Sequence, residues 1–122
     1  MHQGAKAYGA VAKKSANPRE LEASLLLNAA ARLQTVRDGW ESRQATDLEA
    51  ALLYNRKLWS IFVSSVTNPE NPLPVAIRQN VANIGLFVLK HTLMVLANPK
   101  PENLHSLINI NRELAAGLLG RA

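Results

Sequence analysis

The stretch Leu73–Asn98, LPVAIRQNVANIGLFVLKHTLMVLAN, decides the fold. On a helix advancing about 100° per residue, Ile77, Val81, Ile84, Val88 and Val95 fall in one narrow stripe. Leu86, Leu89, Leu93 and Leu96 fall in a second stripe, on roughly the opposite side. Gln79, Asn83 and Lys90 are the only clearly polar edge. A helix apolar around most of its circumference belongs in a core. Either other helices of the chain cover both stripes, which is the commoner arrangement, or a partner covers one. In the second case the Ile77/Val81/Ile84/Val88/Val95 stripe, longer and more regular, is internal. The surplus leucine stripe, with Leu86, Leu89 and Leu93, is then the interaction surface.

Punctuation on either side isolates this helix. Thr67–Pro74 contains Pro69, Pro72 and Pro74, which remove backbone donors and hold the chain extended. Pro74 suits the start of the helix. Asn98-Pro99-Lys100-Pro101 ends it. Upstream, Asn17-Pro18-Arg19-Glu20 is a helix start, with Asn as the cap and Pro at the first helical position. From there to about Trp40, Leu25, Leu26, Ala29, Leu33, Val36 and Trp40 share one face. Gly39 and the polar run from Glu41 end this helix. Thr46 and Glu49 have capping-box spacing, and a second helix to about Val66 follows. Its stripe holds Leu48, Ala51, Leu52, Leu58, Trp59, Phe62, Val63 and Val66. A last helix, about Glu102 to Leu118, carries Leu104, Leu107, Ile108, Leu114, Ala115 and Leu118. No segment alternates with period two. The fold class is therefore all-α, four main helices with short loops in an antiparallel bundle.

The 122-residue length suits one domain. The division is a basic segment over 1–16 and a helical bundle over 17–122. In the first, Ala5, Tyr8, Val11 and Ala12 have the spacing of a short docking helix, which Gly4 and Gly9 weaken. Hydrophobic content of 48% with 19% charged residues excludes a disordered chain. The chain has no cysteine, so neither disulfides nor thiolate chemistry enter, and a reducing cytoplasm fits. The N-terminus lacks the apolar core of a signal peptide. The most apolar window, Ile84–Ala97, is interrupted by Lys90, His91 and Thr92. It reads as too short and too charged to span a bilayer.

Much of the net charge of +5 comes from Lys6, Lys13, Lys14 and Arg19. Dense basic runs and aromatic-interleaved strands are missing, so nucleic acid is not the expected partner. His2, His91 and His105 are scattered without ligand spacing, and no phosphate loop or nucleophile elbow is present. No metal, cofactor or catalytic residue is expected. His91, at the edge of the first stripe, reads as a satisfied half-buried histidine and not as a general base.

Two asparagines break the apolar stripes. Asn55 and Asn111 sit mid-stripe, and each is followed by arginine, Arg56 and Arg112. A buried amide without partners costs about 1–3 kcal/mol. The expected resolution is that the two bond each other or nearby backbone and fix helix register. The other reading is that they present amides to a bound chain.

At these residues a resemblance enters. Asn17-Pro18-Arg19-Glu20-Leu21-Glu22, then Leu53-Tyr54-Asn55-Arg56-Lys57-Leu58-Trp59, then Asn71-Pro72-Leu73-Pro74, then Leu107-Ile108-Asn109-Ile110-Asn111-Arg112 with Gly117-Leu118 resembles the FlaF family of bacterial flagellar biosynthesis proteins. The likeness covers nearly the whole chain in order. The family pattern often has Asp at the position of Asn109, where this chain departs from it. The resemblance implies a cytoplasmic protein that acts with flagellin, alongside the FlbT-type translational regulator. It further implies a secretion chaperone or assembly regulator that captures flagellin's amphipathic terminal helices. A rival reading is an RNA-associated regulator of flagellin synthesis, supported only by the basic balance. Another is a structural homodimer; the expected state is a monomer or a weak dimer. The motif residues Asn55, Arg56, Leu58, Trp59, Pro74, Asn111 and Arg112 are expected to be structural. Leu86, Leu89, Leu93 and Tyr8 are the expected partner-binding residues.

Overall fold

The computed structural model describes residues 17–120. The N-terminal segment, with the expected docking helix and Tyr8, lies outside the described residues. Among those described, four α-helices and two single 3-10 turns account for the regular structure, and there is no strand. Helix α1 is Pro18–Asp38. Helix α2 is Ala45–Thr67, α3 is Val75–Ala97 and α4 is His105–Leu118. The 3-10 turns are Trp40–Ser42, between α1 and α2, and Pro101–Leu104, leading into α4. The fold is the all-α bundle expected.

The helix ends follow local chemistry. Asn17 Oδ1 accepts the Arg19 N–H at 2.9 Å, satisfying one of the orphan donors of α1. The cap of α2 differs from expectation: the helix starts at Ala45, one residue before Thr46. The carboxylate of Asp47, not that of Glu49, reaches back to the N–H of Gln44 at 3.0 Å. Two overlapping capping frames compete here, and the earlier one lengthens the helix by two residues, from a cap at Thr46 to one at Gln44. In the Pro-rich connection, Asn68 Oδ1 and Asn71 Oδ1 accept from the N–H groups of Glu70 and Leu73. The Arg78 guanidinium donates to the Leu73 carbonyl at 3.1 Å and the Asn68 carbonyl at 3.4 Å, tying the start of α3 to this turn.

The core lies where α1, α2 and α4 meet. Leu26, Leu33, Leu52, Trp59, Leu104, Leu107 and Ile108 are all buried. Burying each such aliphatic side chain stabilises the fold by about 1.5–3 kcal/mol. Helix α1 packs on α4 and α2, and α2 packs also on α3. Helix α3 is therefore an edge helix, held mainly by α2.

This position corrects the stripe assigned to α3. Val88 and Val95 are buried and Val81 half-buried, but Ile77 and Ile84 are exposed. The buried line of α3 is Gly85, Val88, Thr92 and Val95. It is rotated toward Gly85, where side chains of α2 occupy the space a Cβ would need. A Cβ at Gly85 would lie 2.3 Å from Val63 Cγ2 and 3.4 Å from Trp59 Cε3. Thr92 fits the apolar line because its hydroxyl donates to the Val88 carbonyl at 2.7 Å.

A second correction concerns length. The helix α3 is 23 residues long, with a mean hydropathy of 1.4 over its most apolar 18-residue window. By length and composition alone it is sufficient to cross a bilayer, and 28% of that window is buried within the protein.

Candidate functional site

Among the described residues two features stand apart from ordinary packing: a polar knot inside the core and a face of α3 that no other described helix covers.

The knot is built from the two asparagines. Asn111 Nδ2 donates to Asn55 Oδ1 at 2.7 Å and to the Leu26 carbonyl at 3.3 Å. Its Oδ1 accepts the Trp59 indole N–H at 2.8 Å. All of Asn55, Asn111 and Trp59 are fully buried. One amide thus ties α4 to both α1 and α2. Asn55 Nδ2 is buried with no hydrogen-bond partner. Turning that amide over would set two N–H2 groups against each other, so the network itself fixes its orientation. Trp59 also meets Phe62 edge to face, at 5.8 Å between centroids. The remaining motif residues are divided. Leu58 is in the core, Pro74 caps the start of α3, and Arg56 and Arg112 point outward. Arg112 lies 3.5 Å from Gln34 Oε1.

The face on α3 is larger than the leucine stripe read from sequence. Val75, Gln79, Ala82, Leu86, Leu89, Leu93 and Leu96 follow one another at spacings 4, 3, 4, 3, 4, 3. That is coiled-coil spacing along the whole helix, apolar at every position but Gln79. Leu86 is 51% and Leu93 58% exposed, while Leu89 and Leu96 are half-buried against the core. Leu89 thus anchors the seam from below. On the other flank, Phe87 and Met94 are exposed as well. Asn83 and Lys90 run between the two flanks on the outer side. The alternating spacing, readable in the sequence, would have added Val75 and Ala82 to the seam.

His91 closes the second flank. Its Nε2 lies 2.8 Å from the Asn103 carbonyl and 3.2 Å from Ser106 Oγ. A carbonyl can only accept, so Nε2 carries the proton. The ring stacks on Phe87 at 5.2 Å. His105 is a surface residue whose Nε2 accepts from the Asn109 amide at 3.0 Å. No group of three or more His, Cys, Asp or Glu stands together among the described residues. A smaller apolar cleft between α1 and α2 is lined by Leu25, Tyr54, Leu58, Ile61 and Phe62.

The model of the family described as flagellar protein FlaF matches residues 4–118. The chain belongs to the FlaF family. The match runs from the basic N-terminal segment to the last residue of α4, so every helix lies inside it. Neither a curated protein nor a solved structure matches the chain. FlaF membership places the protein in flagellum-related work.

Proposed function

We propose that this protein binds flagellin in the cytoplasm, as an export chaperone or assembly regulator that covers the amphipathic terminal helices of the unassembled subunit. The observation that carries this reading is the Val75–Leu96 seam on α3. Isolated soluble proteins seldom leave so long an apolar strip uncovered unless something binds it. A seam with coiled-coil spacing accepts a helix presenting anchors at i, i+3, i+4 and i+7. Its occupant is read as a protein helix and not lipid, because Asn83 and Lys90 run down the outer side of α3 and Gln79 lies in the seam itself, where a bilayer would have to enclose them. Binding, not chemistry, is the activity this reading assigns, and among the described residues no group of three or more His, Cys, Asp or Glu stands together. Covering the terminal helices would block premature polymerisation and keep the subunit exportable.

Co-purification with full-length and terminally truncated flagellin tests this. Full-length flagellin should be retained, and removal of a terminal helical segment should abolish retention. Retention that ignores both termini would refute the terminal-helix reading.

A further inference from the structure

Charge is distributed unevenly among the helices. Helix α1 has three basic and three acidic residues, α2 two and two, and α4 one and one. Helix α3 has Arg78 and Lys90 and no Asp or Glu. Both cations border the seam. Arg78 precedes Gln79 on the side facing α2, and Lys90 follows Leu89 on the outer side. In a paired helix these bordering positions meet the bordering positions of the partner and set which partner is accepted. Of the inner border, Gly85 and Thr92 are buried within the protein, so the outer border with Asn83 and Lys90 is the one open to a partner.

We propose that the α3 seam selects a helix whose apolar heptads are bordered by acidic residues, paired over about three heptads with carboxylates against Lys90. This rests on reading the seam as a helix-docking site, as above, and adds the chemistry of the occupant. A second copy of the chain fits worse, because its α3 would bring the same two cations and no acid. The net charge of +5 adds long-range attraction for such a segment.

Two synthetic heptad peptides of about 21 residues serve as probes, with leucine at the seam positions and either Glu or Lys at every bordering position. Titrated against the full chain at low salt, the Glu-bordered peptide should bind about tenfold or more tightly than the Lys-bordered one. Lys90→Glu should reduce that preference by about threefold to tenfold. Lys57→Glu, on α2 and away from the seam, changes net charge equally and should move the preference less than about twofold. Equal binding of the two peptides, binding of neither, or an equal effect of Lys57→Glu would overturn the proposal. So would a dimer of the chain that Leu93→Glu dissolves. Discrimination through Lys90 by a protein that does not retain flagellin would uphold the proposal and discard flagellin as the occupant. Flagellin retained by wild type and Lys90→Glu alike, with indifferent peptides, would do the reverse.

Discussion

The amide of Asn111 donates to Asn55 Oδ1 across 2.7 Å in a fully buried setting, and together with the bond from the Trp59 indole it joins the last helix to the second. The two residues are not equivalent. Asn111 makes three hydrogen bonds, to Asn55, Leu26 and Trp59. Asn55 makes one and leaves its Nδ2 without a partner. The knot therefore depends on Asn111.

Asn111→Ala strands the Trp59 N–H and removes the tie to α1, and should lower stability by about 2–4 kcal/mol, from lost bonds and a small cavity. Asn55→Ala removes one bond together with an already unpaired N–H, and should cost about 1–2 kcal/mol. Urea unfolding of both variants checks the order. Equal losses would mean that the knot is not organised around Asn111.

Trp59→Phe keeps most of the apolar volume and deletes the indole donor to Asn111 Oδ1. A loss of about 1–3 kcal/mol is expected. In an Asn111→Leu background the same change should be milder, because no acceptor is left behind. A double-mutant cycle by denaturant unfolding measures the coupling.

Gly85→Ala should destabilise by about 1–3 kcal/mol, despite the better helix propensity of alanine, because the new methyl meets Val63 Cγ2. Val63→Ala removes that atom and should recover much of the loss. Thermal melts of the two single variants and the double variant decide; additive effects would contradict close approach at this point.

Much of this arrangement was legible in the sequence, and the misses have physical causes. Asn55 and Asn111 announce themselves as polar residues in apolar stripes, and their pairing follows from the cost of a stranded amide. The helix limits follow from Pro18, Gly39, Pro74 and Pro99. The buried line of α3 was not legible, because periodicity identifies an apolar arc without saying which part of it a neighbour reaches. Ile77 and Ile84 fit the stripe as well as Val88 does. The contact falls instead on Gly85, beside Val63 and Trp59 of another helix, and the buried line runs on through Thr92. For the same reason Leu89 could not be separated from Leu86 and Leu93 by pattern alone.

That separation changes how the seam must be probed. Leu89 packs against the core, so Leu89→Glu should lower stability by more than about 2 kcal/mol as well as disturb the surface. Leu86→Glu and Leu93→Glu, at half-exposed positions, should change stability by less than about 1 kcal/mol. Circular dichroism melts of the three variants test this ranking, and a stable Leu89→Glu would show that this residue stands free of the core.

The most direct test of the account is retention of full-length flagellin by the Leu86→Glu/Leu93→Glu double variant, alongside its helical spectrum and melting temperature. The account predicts a folded protein that retains at least about tenfold less flagellin, because two carboxylates would have to be buried in an apolar seam. Undiminished retention by the folded variant would contradict it.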